Sequence, residues 1–129
     1  MKTDFSDVPP LRERERRTAD AFGITYCVEE LKRDLMAVDG VVDVEFDLDG
    51  YWSDIQQIIF LPKYSIPVQV EDYYQRRRTM IARILEVCAR HGLTRSGDRI
   101  EDYGEHLYIV TNCGWPVRPG VTVPDILPV

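Results

Sequence analysis

The stretch GVVDVEFDLDGYWSDIQQIIFLP, residues 40–62, decides the fold. Its first half alternates. Val42, Val44, Phe46 and Leu48 fall on one side, and Asp43, Glu45, Asp47 and Asp49 on the other. Successive strand side chains point to opposite faces, so this pattern predicts a strand with one buried and one wet face. The segment DGYWSD, with Trp52 at its tip, turns the chain. IQQIIFLP then reads as the returning strand, ended by Pro62 because proline cannot donate to a ladder. A hairpin with one wet face needs helices on its other face.

Those helices are legible on either side. Upstream, Ala21, Ile24, Cys27, Val28, Leu31, Leu35 and Val38 recur at steps of three and four, which is one face of a helix. The run Arg12 to Arg17 reads as the solvated start of the same helix, with Gly23 as its weak point. Asp39-Gly40 ends it. Downstream, Ile81, Ile84, Leu85 and Cys88 mark a second helix. Asp72 with Gln75 resembles a capping box at its start, and Arg90, His91 and Gly92 suit its end. RIEDYGEHLYIVTN follows as one or two strands, with Leu107, Ile109 and Thr111 on one face and Tyr108 and Val110 on the other.

The expected class is α+β: two helices on one face of a small antiparallel sheet, in the order α-β-β-α-β(-β). Residues 1–115 form one domain. Residues 116–129 hold four prolines and form an extended apolar tail. A length of 129 residues with 44% hydrophobic and 29% charged content suits one globular domain.

The order is related to the split βαβ plan of ferredoxin-like domains, without an obvious first strand. CVEELKRDLMAVDGVVDV, from Cys27 to Val44, is similar to the helix-and-strand half of heavy-metal-associated ferredoxin-like domains. Cys27, Val28, Leu31, Leu35, Gly40, Val41 and Val44 carry the similarity. That family holds soft metal through Cys-x-x-Cys, and Ile24 stands where the second thiol belongs. The resemblance therefore implies the fold and not the metal, one thiol being too few. The element order is also broadly similar to that of small tail-end proteins of bacteriophages, which implies a self-assembling subunit closing a ring.

Charge is unevenly spread. Net charge is −6, but residues 39–62 hold 6 acids and no base, whereas residues 63–95 hold 7 bases and 3 acids. Such asymmetry speaks to association. Glu45, Asp47, Asp49 and Gly50 imitate a calcium loop, but Gln56 stands where a bidentate Glu is required. Arg76, Arg77 and Arg78 beside Tyr73 and Tyr74 could grip nucleic acid, a reading the acidic total weakens. Thiol catalysis would need Cys113 with His106, oriented by Asp102, and a strand between them holds the first two apart. No secretory signal, no membrane-spanning run and an odd cysteine count (Cys27, Cys88, Cys113) give a cytoplasmic expectation.

The function expected is therefore non-catalytic: a small protein-binding or assembly subunit. It would act through the acidic hairpin (Asp43, Glu45, Asp47, Asp49, Trp52), the basic helix (Arg76, Arg77, Arg78) and an apolar tail beside Trp115, whose other reading is a pin that holds the tail to its own domain. The partner is another protein or a second copy; membrane and nucleic acid are not expected, nor is any cofactor. The alternatives are an acidic decoy of a nucleic-acid-binding protein, of mobile-element type, and a thiol enzyme using Cys113 and His106.

Overall fold

The computed structural model describes residues 11–48, 57–66 and 71–115, with the backbone alone at 94–98. The order is α1 (Glu13–Phe22), α2 (Thr25–Met36), β1 (Val41–Asp47), β2 (Gln57–Tyr64), α3 (Tyr73–Arg90), β3 (Leu93–Asp102) and β4 (Leu107–Cys113). The four strands form one antiparallel sheet in the order β1-β2-β4-β3. The class is α+β, as the hydrophobic pattern predicts, with three helices where two were expected.

β2 and β3 each run antiparallel to β4, so they are parallel to one another with β4 between them. β2, α3 and β3 thus make a split β-α-β unit. No strand precedes β1 among the described residues. The gap in the split unit is filled from the other direction, by β4 returning in a hairpin from β3.

Three local expectations are corrected. The upstream helix is two helices, because Gly23 takes a left-handed φ of 73° that ends α1. Its N–H reaches Asp20 O, and Ile24 N reaches Ala19 O. In β1 the inward residue is Val41, and Val42 is 56% exposed. A bulge between Val41 and Asp43 places an extra residue opposite β2 and shifts the alternation by one. In β2 the strand runs on past Pro62 to Tyr64. Tyr64 N bonds to Glu105 O, so the amides of the even-numbered residues face β4. Pro62 falls in that row where the continuous β2–β4 ladder, Gln57 to Phe60, has already stopped, so no ladder bond is lost.

One core lies between the sheet and the helices. It joins Val28, Leu31 and Leu35 of α2 to Ile84, Val87 and Cys88 of α3. Under them lie Val44 and Phe46 of β1, Ile58 and Phe60 of β2, and Leu107 and Ile109 of β4. Gly40, at φ 101°, joins α2 to β1 directly over α3; a Cβ there would stand 3.2 Å from Met80 Sδ. The start of α3 also differs from expectation. Asp72 is its N-cap residue but makes no side-chain cap bond, and Gln75 instead accepts from Arg78 Nη2 at 2.9 Å.

Candidate functional site

Antiparallel register places the outward residues in rows across the face of the sheet opposite the core. Asp47 lies opposite Ile59, Ile59 opposite Val110, and Val110 opposite Arg99. The next row runs Glu45, Leu61, Tyr108, Glu101: Glu45 pairs with Leu61 and Tyr108 with Glu101, and the Phe60–Ile109 pairing brings the two halves together. A third row holds Asp43, Lys63 and His106. Each of the first two rows spans about 14 Å at the usual strand spacing. The centre of this face is apolar, and acids line its β1 side. Arg99 and Glu101 line the opposite side. Arg99 lies over the Tyr108 ring at 5.5 Å from its centroid.

The acidic comb is partly neutralised from within. Arg12 Nη2 sits 2.8 Å from Asp43 and 3.6 Å from Glu45, and Lys63 Nζ sits 3.0 Å from Glu45. Asp47 is exposed at the end of the strand. Asp49 and Trp52 lie outside the described residues. Burial alone would raise the Asp43 carboxyl. The bonds it accepts from Arg12 and from Val44 N outweigh burial and hold it below 3.8.

The outer edge of β1 is closed by α1. Buried Glu15 accepts from Phe46 N at 2.7 Å and from Arg12 N at 2.8 Å. Arg12 Nη1 reaches Val44 O at 3.4 Å. Unpaired strand edges invite pairing with other chains, and a buried carboxylate on the edge amide prevents it. Lys32, also buried, lies within coulombic reach of Glu15, Asp43 and Glu45. Burial pushes its ammonium below the usual lysine range.

The three consecutive arginines go to three different surroundings. Arg76 lines a groove between α2 and α3. Arg77 is paired with Asp102, which also accepts from Tyr64 OH at 2.7 Å and Gly104 N at 2.9 Å. Arg77 and Asp102 therefore tie α3 to the β3–β4 turn. Arg78 turns back to Gln75. Trp115 is buried, its Nε1 donating to His91 O at 2.6 Å and its N–H to Cys113 Sγ at 3.2 Å. It fastens the end of β4 to the end of α3; residues 116–129 lie outside the described residues.

The thiol set is not assembled. His106 stacks on Tyr103 at 5.2 Å at one end of β4, and Cys113 lies at the other end. Asp102 serves Arg77 and Tyr64. No group of three metal-ligating side chains occurs among the described residues. Ile24, in the position of the second thiol of the metal-binding resemblance, is 1% exposed and offers no donor. Among the described residues no helix is long and apolar enough to cross a membrane.

Asp34, near the end of α2, bonds His91 Nε2 at 2.7 Å and Arg33 Nε at 3.1 Å. Burial would raise its carboxyl; these bonds together outweigh it and hold Asp34 below 3.8. Both Asp34 and Asp43 therefore bind their protons less tightly folded than unfolded. The unfolded chain takes up more protons below 3.8, so stability falls as pH falls through that range and is fully present above it. Urea unfolding at pH values on either side of 3.8 should show this slope, and Asp34→Asn should flatten it. An equal slope in that variant would remove Asp34 from the account.

Sequence reasoning missed Ile59, Leu61, Tyr108, Val110 and Arg99 as one surface. The run IQQIIFLP gives no face by itself, and only its register against β1 and β4 separates Ile58 and Phe60, inward, from Ile59 and Leu61, outward. No known protein family, curated protein or solved structure matches the chain.

Proposed function

We propose that this chain is a non-catalytic protein-binding or assembly subunit whose working surface is the face of the sheet opposite the helices. The observation that carries the reading is the pair of rows Asp47–Ile59–Val110–Arg99 and Glu45–Leu61–Tyr108–Glu101. An apolar centre ringed by charge is the anatomy of a protein contact: the centre loses water and the rim sets orientation. Half-buried Ile59 and Leu61 and buried Val110, aliphatic side chains with no donor or acceptor, suit no nucleotide or metal. The partner should present apolar side chains flanked by Lys or Arg, because the β1 side of the rim is acidic.

Arg12 and Lys63 favour this reading over phosphate mimicry. They neutralise Asp43 and Glu45 from within, which a decoy for a nucleic-acid-binding protein would not need.

The test compares the tagged wild-type chain with Leu61→Asp and with Asp47→Lys as bait in an extract of the source cell. A partner held by the wild type should be lost at least about tenfold with Leu61→Asp, since a charge at the desolvated centre costs more than the 1.4 kcal/mol that a factor of ten represents. Asp47→Lys should mainly slow association, as rim charges do. Circular dichroism should show both variants folded. The same proteins retained equally by all three baits would place the contact elsewhere.

A further inference from the structure

On α3 a second surface carries its own pattern. Asp72, Arg76, Thr79, Arg83, Glu86 and Arg90 recur at steps of three and four. At 100° per residue they fall within an arc of about 80° along one side of the helix. All six are exposed and all six line the groove between α3 and the end of α2, a space of about 640 Å³. Ala37, Val38, Met80 and Val87 form its floor, and Asp34 and Asp39 stand on its α2 wall. Among the described residues Arg76 and Arg90 enter no ion pair. Arg83 reaches only Glu86, one turn on, at 3.6 Å, with both side chains more than 60% exposed.

The row of charges is complementary to its own reverse. We infer that a second copy of this chain docks its α3 antiparallel in this groove, about a two-fold axis at the level of residue 81 but on the side of the helix away from the Ile81 side chain. In that register Asp72 faces the partner's Arg90, Arg76 faces the partner's Glu86, and Thr79 faces the partner's Arg83. Symmetry makes each contact twice, and no like charges oppose one another. The partner's arginines also come to the acidic α2 wall at Asp34 and Asp39. A two-fold contact uses one patch on both copies, so a self-complementary row is the pattern it requires. A helix of 18 residues gives a seam about 27 Å long. This contact is separate from the sheet face, which stays available to the partner proposed above.

Sedimentation at low salt, over a range of protein concentrations, should give a dimer that dissociates as salt rises, because exposed pairs are screened. Arg90→Asp sets like charges at Asp72 and should weaken the dimer at least about tenfold. The double variant Asp72→Arg with Arg90→Asp exchanges the charges and should restore it. Arg76→Glu, and Arg76→Glu with Glu86→Arg, should behave in the same way and do not alter the helix ends. Leu61→Asp should leave the dimer unchanged, so a failure here is distinct from a failure of the sheet-face reading. A wild-type monomer at every concentration and salt would overturn the inference. So would single reversals that dimerise like the wild type, or double variants that do not recover.

Discussion

Glu15→Ala is expected to lower the unfolding free energy by about 3–5 kcal/mol, the usual result of removing one partner from a buried charged group. Glu15 is 4% exposed and holds the amides of Phe46 and Arg12 with its two oxygens. Its removal leaves a buried edge amide without an acceptor, worth about 1–3 kcal/mol by itself. It also takes from Lys32, which is 1% exposed, the largest of its attractions to nearby carboxylates, those of Asp43 and Glu45 remaining. Glu15→Gln keeps an acceptor for one amide and should lose less. Glu15→Ala combined with Lys32→Met should recover part of the loss, since the buried ammonium that lost its largest attraction is then absent too. The single variant should also associate through the opened β1 edge. Urea unfolding of the four proteins measures this; a loss below about 1 kcal/mol for Glu15→Ala would mean that water satisfies these groups.

Phe60→Ala should cost a similar amount, about 3–5 kcal/mol, for a different reason. Phe60 is 0% exposed on the central strand β2. Its ring lies 6.1 Å from that of Phe46, and its other cross-strand neighbour is Ile109. Alanine would leave a cavity in a layer held on both sides by paired strands, which can close only slightly. Phe60→Leu should lose less, and Tyr74→Ala, at a side chain 68% exposed, should stay within about 0.5 kcal/mol of the wild type. Denaturant midpoints with unchanged slopes would attribute these losses to stability. A near-neutral Phe60→Ala would contradict the placement of the core.

The physics behind both predictions was unevenly legible in the residues. Alternation in VEFDL and the spacing of Ile84 and Cys88 report burial directly, so the class, the core side of β1 and α3 could be read. Gly23 was recognisable as the weak point of the helix, but whether the helix breaks there was not, since glycine is tolerated inside a helix as well as at its end. The bulge at Val42 has no local signature: two adjacent valines fit either face, and pairing with Tyr64 and Lys63 decides between them. Pro62 misled because its effect depends on which neighbour its missing N–H would have faced.

The candidate site divides in the same way. The acids of the comb were visible as charges, but their neutralisation by Arg12 and Lys63 joins residues far apart in the chain. Arg76, Arg77 and Arg78 look alike in sequence. A rotation of 100° per residue sends them to a groove, an ion pair and a neighbouring glutamine. Trp115, which the sequence offers both as a contact residue and as a pin within its own domain, is held by His91 and Cys113 there. The spacing of Arg76, Arg83 and Arg90 was available all along, hidden by the more conspicuous triplet.

The working surface can be tested most directly by placing a photo-crosslinking residue at Leu61, on the sheet face, and separately at Tyr26, which is 66% exposed on α2. Irradiation in the source cell should give one discrete protein adduct from position 61 and none from position 26. Adducts from both positions alike, or from position 26 alone, would contradict the assignment of the sheet face as the surface that binds.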